Sequence, residues 1–148
     1  MSTYTQIYYH IIFSTKNRVP CLKEAGRDEL FKYIWGIVKN KDCHLYRING
    51  VEDHVHILIS LKPAVALADL VKDIKVATSI WIKERNIFPR FEGWQGGYAA
   101  FTYADKDKNT VINYIKNQVE HHRKRSFREE VEALLKEHGV DVDERFLV

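Results

Sequence analysis

The stretch CHLYRINGVEDHVHILISL, residues 43–61, contains two β-strand patterns separated by a turn signal. CHLYRI (43–48) and HVHILISL (54–61) are rich in apolar and β-branched residues, and the Asn-Gly pair between them is typical of a tight turn. An antiparallel hairpin is therefore predicted. Because successive side chains of a strand alternate between its faces, His54 and His56 share one face, whereas Val55 and Ile57 point to a helical layer on the other.

The segments around this hairpin alternate between strand and helix patterns. Strands are predicted at 6–15 and 96–104, helices at 26–40, 65–85, 107–125 and 128–139, and a short strand or arm at 140–148. The order β-α-β-β-α-β is that of an α+β, ferredoxin-like split βαββαβ domain. It predicts an antiparallel sheet with helices on one face, followed by additional C-terminal helices. This topology supports many functions, so it does not indicate an activity.

Length and composition indicate one globular domain over residues 1–148. The chain is 45% hydrophobic and 29% charged, with a formal net charge of only +3. Binding to nucleic acid would therefore require clustered basic residues. Cys21 and Cys43 form no CxxC motif, and the N-terminus resembles neither a signal peptide nor a membrane span. A cytoplasmic protein with no membrane partner is the expectation.

The histidine pair is half of a possible metal site. Two neutral imidazoles side by side can ligate a divalent ion. Zinc would favour additional thiolates or imidazoles, and the cysteines have no suitable spacing. Magnesium or manganese would instead require an oxygen donor. The alternative is that His54 and His56 are ordinary sheet residues, which the HxH pattern alone leaves open.

The predicted helix at 107–125 carries polar residues beside its buried face. Its apolar stripe consists of Val111, Ile112, Ile115 and Val119. A polar row beside that stripe consists of Tyr114, Gln118, His121 and Arg125. Gln118 has a carbonyl oxygen that can bind a hard cation, and Tyr114 has a phenol that can act as a nucleophile. Each residue alone is also an ordinary neighbour of a helical core.

HVHILI (54–59) and YIKNQ (114–118) together resemble the two motifs of single-tyrosine transposases of the HUH nuclease superfamily. These enzymes, which include the REP-associated tyrosine transposases, mobilise compact insertion sequences as single-stranded DNA. The segments YYHIIFSTKNRVP (8–20) and GWQGGYAAF (93–101) are similar to the family as well. The resemblance covers a core of about residues 4–125 and leaves a C-terminal helix and tail at 126–148.

The resemblance implies a site and a reaction. His54, His56 and Gln118 would bind Mg²⁺ or Mn²⁺, and Tyr114 would attack a DNA phosphodiester to give a 5′-phosphotyrosine. The enzyme would be a homodimer in which the tyrosine helix of one subunit completes the active site of its partner. Its substrate would be single-stranded DNA, with a hairpin or repeat at the ends of the element.

Basic and aromatic residues near these motifs could hold the strand. The candidates for phosphate contacts are Lys16, Arg18, Arg123, Lys124 and Arg125. The candidates for base stacking are Trp94, Tyr98 and Tyr103. Charged residues of this kind also occur on ordinary solvated surfaces.

Two other functions fit the same sequence. One is a catalytically inactive, domesticated relative that binds a DNA or RNA hairpin without cutting it. The intact set of His54, His56, Tyr114 and Gln118 argues against this loss. The other is a metal-dependent hydrolase or a small-ligand-binding ferredoxin-like domain in which Tyr114 is only structural. A covalent protein–DNA adduct would exclude that second function.

Overall fold

A computed structural model describes residues 2–142 of the chain. Its strands are β1 (Tyr8–Ser14), β2 (His44–Gly50), β3 (His54–Ser60) and β4 (Ala99–Tyr103). Its helices are α1 (Glu24–Asn40), α2 (Leu67–Arg85), α3 (Lys108–Lys116), α4 (Gln118–His122) and α5 (Phe127–Glu137). Most of the predicted tail strand or arm lies outside the described residues.

The four strands form one antiparallel sheet in the order β2-β3-β1-β4. The two strands that begin the βαβ halves, β1 and β3, are neighbours at the centre of the sheet. This confirms the predicted split βαββαβ fold. It also places the histidine pair on a central strand, where His54 lies opposite Ser14 and His56 lies opposite Ile12 of β1.

One face of the sheet packs against α1 and α2. Alternate residues of the central strands, including Ile11, Phe13, Val55 and Ile57, are at most 1% exposed and form the main core with these helices. Burial of this apolar surface is the chief stabilisation of the fold. Val55 and Ile57 thus point to the helical layer as the alternation predicts, and the histidines point away from it.

The opposite face is covered by the C-terminal helices in two separate patches. Val111 and Ile115 of α3 pack with Leu58 of the sheet in one patch. Leu134 of α5 packs with Phe101 and Ile12 in the other. The predicted C-terminal helices therefore complete a second layer. Between the two patches the sheet presents histidines to the helices.

The Asn-Gly pair is not the turn of the hairpin. Asn49 and Gly50 belong to β2, and the turn consists of residues 51–53, closed by a hydrogen bond from the Val51 amide to the His54 carbonyl. The strands approach closely here, because a Cβ added to Gly50 would lie 2.6 Å from that carbonyl oxygen. Glycine is therefore required by the approach of the two backbones.

The prediction of one helix over 107–125 is wrong, because the helix breaks at Asn117. The backbone of Asn117 has φ −95° and ψ 21°, outside helical geometry. The side-chain amide of Asn49 donates to the carbonyl oxygens of Ile115 and Lys116 at 3.1 and 3.0 Å. These carbonyls would accept from later amides in a continuous helix. Val119, beyond the break, is 46% exposed and does not extend the apolar stripe.

Among residues 2–142, none of the helices is long and apolar enough to cross a lipid bilayer.

Candidate active site

His54 and His56 lie in the interior of the protein. Both side chains have no exposed surface, although histidines on a sheet are often partly solvated. A buried imidazole requires hydrogen-bond partners, because an unsatisfied polar group is costly in an apolar environment. The hydrogen-bond partners of the two imidazoles therefore determine which ring nitrogens are free to bind a ligand.

The Nδ1 atoms of the two histidines are held by the protein. His54 Nδ1 lies 2.7 Å from a carboxylate oxygen of Asp53, the residue that precedes it. His56 Nδ1 lies 2.8 Å from Nε2 of His10 on the adjacent strand. Contacts of this kind fix the orientation of histidines that bind metals. They leave the two Nε2 atoms to face the C-terminal helices.

The carboxylate of Glu130, on α5, lies where these Nε2 atoms point. Its Oε1 is 3.4 Å from His54 Nε2, 3.0 Å from His56 Nε2 and 3.1 Å from His122 Nε2. Only 1% of Glu130 is exposed. A buried carboxylate is tolerated where charged or donor groups compensate the lost hydration, and this one lies among three imidazoles.

The other oxygen of Glu130 contacts the two predicted residues of the tyrosine motif. Its Oε2 accepts a hydrogen bond from the Tyr114 hydroxyl and another, at 3.0 Å, from Nε2 of Gln118. Gln118 itself has no exposed surface. One carboxylate thus joins Tyr114 and Gln118 to His54 and His56, which brings all four residues of the two sequence motifs together in a single chain.

The buried contacts change the acidity of the cluster. Burial alone would raise the pKa of Glu130, but the contacts with His122, His54 and His56 outweigh it and hold the pKa well below its usual range. Burial lowers the pKa of His56 to about 4. Burial also disfavours protonation of His54, but the contacts with Asp53 and Glu130 raise its pKa above the ordinary value. The carboxylate is therefore ionised and His56 is neutral at pH 7.

Tyr114 is protonated in this arrangement. Burial and the hydrogen bond to Glu130 raise the pKa of its phenol well above the ordinary value, and contacts with Gln118 and Arg125 lower it in part. The ring of His121 stacks on Tyr114 with centroids 4.7 Å apart. His121 and Arg125, members of the predicted polar row, thus both lie at the phenol despite the break in the helix.

Four side chains of this cluster could hold a metal ion: His54, His56, His122 and Glu130. One ligand atom from each lies within 4.8 Å of the other three. Two buried atoms, His54 Nε2 and Gln118 Oε1, have no hydrogen-bond partner. The donor types and these unpartnered atoms fit a divalent cation.

The sequence patterns do not reveal two members of the cluster, His122 and Glu130. Glu130 does have a signal in the sequence, because it belongs to the i, i+3, i+4, i+7 series Phe127, Glu130, Val131, Leu134, which is the buried stripe of an amphipathic helix. Glu130, Val131 and Leu134 are buried in α5. A carboxylate at a core position indicates a buried partner.

The predicted phosphate contacts form two groups, one after β1 and one after α4. Lys16 and Arg18 follow the end of β1. Burial would raise the pKa of the Asp53 carboxyl, but the contact with His54 outweighs it and lowers that pKa, and the charges of His122 and Arg18 lower it further. The second group, residues 123–125, follows α4 and is exposed. The preceding residue, His122, has its ring 4.3 Å from that of His54. Arg123 pairs with Glu120 at 3.1 Å.

The three aromatic candidates differ in their surroundings. Trp94 packs against Phe13 and donates through its indole to the Thr78 hydroxyl at 2.8 Å, so it belongs to the core. Tyr103 is partly buried beside the C-terminal helices. Tyr98 is 41% exposed. Of the three, Tyr98 has the most surface available for stacking.

Comparisons with known proteins show the family to which the chain belongs. Residues 3–118 match the family model described as "Transposase IS200 like", and the chain therefore belongs to the IS200-like transposase family. The ISDra2 transposase TnpA of Deinococcus radiodurans is 25% identical over 76% of this chain and 84% of its own length. The transposase for insertion sequence element IS200 of Salmonella typhimurium is 24% identical over 76% of each chain.

Solved structures share the fold. A crystal structure of a putative transposase from Deinococcus radiodurans superposes with a TM-score of 0.63 at 24% identity, covering 80% of this chain and 95% of that one. A REP-associated tyrosine transposase bound to a REP hairpin gives a TM-score of 0.62 at 16% identity, covering 82% of this chain and 74% of that one.

Proposed function

We propose that this transposase cleaves and rejoins single-stranded DNA by transesterification, with Tyr114 as the nucleophile. One observation carries the proposal: the Tyr114 hydroxyl and His56 Nε2 contact the two oxygens of the same buried carboxylate. A tyrosine with only a structural function has no need of this connection to a cluster of buried imidazoles. Perturbed, buried groups of this kind are typical of functional sites.

In the proposed step the Tyr114 oxygen forms a bond to phosphorus and the bond from phosphorus to the 3′ oxygen breaks. The phenol gives up its proton, and the 3′ oxygen takes one to leave as a hydroxyl. The product is a 5′-phosphotyrosine, whose ester a 3′-hydroxyl can later attack to rejoin strands without ATP. A phenol with a raised pKa is a poor nucleophile, so the resting hydrogen bond to Glu130 must yield before attack.

His54 and His56 are the proposed residues for a Mg²⁺ or Mn²⁺ ion, with Gln118 as the third member of the site. The unpartnered His54 Nε2 and Gln118 Oε1 support this assignment. The bound ion would supply Lewis-acid stabilisation of charge on the scissile phosphate. Asp53 and His10 orient the two imidazoles, and Gln118 holds the carboxylate beside the tyrosine.

The proposed substrate is a single strand that carries a hairpin or repeat at the ends of an element. The solved REP-associated tyrosine transposase is bound to a REP hairpin, which supports this substrate class. The groups at Lys16 and Arg18, after β1, and at residues 123–125, after α4, are proposed to hold the phosphates on either side of the cleaved bond.

The homodimer with exchanged tyrosine helices stays a prediction of the family resemblance. The contacts of Tyr114 and Gln118 with Glu130 lie within one chain. Exchange between subunits is therefore not needed to assemble the cluster.

The test is an incubation of the full chain with labelled single strands taken from both flanks of its gene, with Mn²⁺ or Mg²⁺. Wild type is compared with Tyr114→Phe, His56→Ala and a surface control, Tyr4→Phe, on a denaturing gel. We expect a slowly migrating covalent adduct in wild type and in the control that requires metal and is lost in the two site variants.

The other outcomes distinguish the alternatives. Tight hairpin binding without an adduct in wild type would indicate the inactive, hairpin-binding relative. Cleavage without a covalent adduct would indicate a hydrolase. An adduct that persists in Tyr114→Phe would contradict the proposed nucleophile.

A further inference from the structure

Three imidazole nitrogens converge on one carboxylate oxygen, and two of the groups involved lie beyond the stretch that matches the family model. That stretch ends at residue 118, whereas His122 and Glu130 lie 4 and 12 residues further along. The contacts from His54, His56 and His122 to Glu130 Oε1 are between 3.0 and 3.4 Å. The chain therefore adds donors to the histidine pair from its own C-terminal helices.

The hydrogen bonds around His54 indicate that its Nε2 presents a lone pair to this point. The Asp53 carboxylate can only accept, so the ring proton of a neutral His54 is on Nδ1. His54 Nε2 has no hydrogen-bond partner, although it faces Glu130 Oε1 at 3.4 Å. Both atoms belong to the group of ligand atoms that lie within 4.8 Å of one another, so one cation could bind His54 Nε2 and Glu130 Oε1 together.

We infer that Glu130 Oε1 and His122 Nε2 are metal ligands together with His54 and His56, and that this donor set binds Mn²⁺ in preference to Mg²⁺. The inference rests on the metal-dependent function proposed above. Three imidazoles and one carboxylate suit a transition metal, whereas Mg²⁺ favours a shell of oxygen donors and water.

Gln118 then has a second contact beside the ligand function that its position in the motif implies. Its side-chain amide donates through Nε2 to Glu130 Oε2 at 3.0 Å, so it also holds the carboxylate. The Tyr114 hydroxyl donates to the same oxygen. Glu130 is in this way a ligand through one oxygen and an anchor for the tyrosine through the other.

The structure holds α5 firmly enough for Glu130 to serve as a ligand. The helix begins with a capping box, in which the Ser126 side chain accepts from the Glu129 amide and the Glu129 side chain accepts from the Ser126 amide. The ring of Phe127 packs on that of His54 with centroids 4.5 Å apart. Leu134, one turn after Glu130, is fixed in the core. Ligands need such support to keep their geometry.

The experiment measures Mn²⁺ binding to the full chain without DNA, by electron paramagnetic resonance of the free ion, and repeats the titration with Mg²⁺ as competitor. The variants are Glu130→Gln, His122→Asn and Gln118→Leu. The matched control is Glu132→Gln, which removes the same charge from the exposed side of α5, where Glu132 pairs with Arg128. Circular dichroism and thermal unfolding verify that each variant is folded.

We expect Glu130→Gln to weaken Mn²⁺ binding by roughly tenfold or more, and His122→Asn to reduce the preference for Mn²⁺ over Mg²⁺. Gln118→Leu should have a smaller effect than Glu130→Gln, and Glu132→Gln should bind as wild type. Wild-type affinity in a folded Glu130→Gln variant, or a larger loss in Gln118→Leu, would overturn the ligand assignment. Failure of the wild type to bind either ion would instead contradict the metal-dependent function itself.

Discussion

Glu130 is the residue on which the other members of the site depend. Its two oxygens contact His54, His56 and His122 on one side and Tyr114 and Gln118 on the other. An ionised carboxylate without these partners could not be buried at an acceptable cost. The cluster is therefore a unit, and single substitutions within it are not expected to have additive effects.

At the same scale, Asp53 is predicted to control metal affinity without touching the ion. It fixes the ring of His54 through Nδ1 at 2.7 Å. Asp53→Ala should weaken Mn²⁺ binding by roughly 10- to 100-fold, because the ring loses its orientation and some basicity. Asp53→Asn, which keeps an acceptor oxygen, should recover part of the loss. Isothermal titration calorimetry measures both.

The control for Asp53 is Asp28→Ala, since Asp28 is an exposed carboxylate on α1, which packs on the opposite face of the sheet. An unchanged affinity in Asp53→Ala would show that the orientation of His54 does not depend on this carboxylate.

At this scale the sequence predicts reliably which face of a strand or helix a side chain occupies, because the period of the element determines it. The alternation of a strand places His54 and His56 on one face, and the structure confirms it. Their complete burial and the contact with Glu130 could not be predicted, because both depend on how α5 packs across the sheet. Glu130 is 74 residues from His56 in sequence. Its position in the buried stripe of α5 is the one local signal.

At the scale of the elements, the helical pattern alone could not predict the break between α3 and α4. Val111 and Ile115 follow the 3.6-residue period as predicted, and both are buried. The pattern continues through Val119, yet the helix does not, because the side-chain amide of Asn49 occupies the carbonyls of Ile115 and Lys116. A contact between residues 66 positions apart thus overrides local propensity.

Asn49→Ala tests the importance of this connection. The variant loses the two hydrogen bonds to α3 and a third that Asn49 Oδ1 accepts from the Gly50 amide. At about 0.5–1.5 kcal/mol for each bond, the free energy of unfolding should fall by about 1.5–4.5 kcal/mol. Formation of the DNA adduct should fall as well, since α3 carries Tyr114. Urea denaturation and the gel assay provide the two measurements. The control is Asn113→Ala, an exposed position of α3, and equal losses in the two variants would contradict the account.

For the molecule as a whole, a net charge of +3 indicates that affinity for DNA depends on where the basic residues lie. We expect the double variant Lys16→Ala, Arg18→Ala to bind single strands more weakly, with a salt dependence reduced by about 0.7 in slope for each phosphate that is no longer neutralised. Binding is measured at several salt concentrations to obtain the slope. All proteins also carry Tyr114→Phe, so that the DNA is not cleaved during the measurement.

The matched control for charge is Lys32→Ala, Lys39→Ala, on helix α1, which packs against the opposite face of the sheet. If both double variants change the slope equally, binding reflects the overall charge of the protein, and Lys16 and Arg18 make no special contribution.

The subunit arrangement is also a property of the whole molecule. The contacts between Tyr114, Glu130 and His56 occur within one chain. If each site is completed within one chain, a mixture of Tyr114→Phe and His56→Ala proteins remains inactive, because neither chain contains a complete site. Recovery of the adduct on mixing would demonstrate the exchange of tyrosine helices that the family resemblance implies.

The central claim, that Tyr114 becomes linked to DNA, is tested most directly by locating the linkage. After the metal-dependent reaction, nuclease removes all but a short nucleotide remnant, trypsin cleaves the chain, and mass spectrometry identifies the modified peptide. Trypsin releases NTVINYIK, residues 109–116, in which Tyr114 is the sole tyrosine. We predict that this peptide carries the nucleotide. A nucleotide remnant on a different peptide would contradict the account. So would the absence of any modified peptide after a reaction in which the DNA strand has been cut.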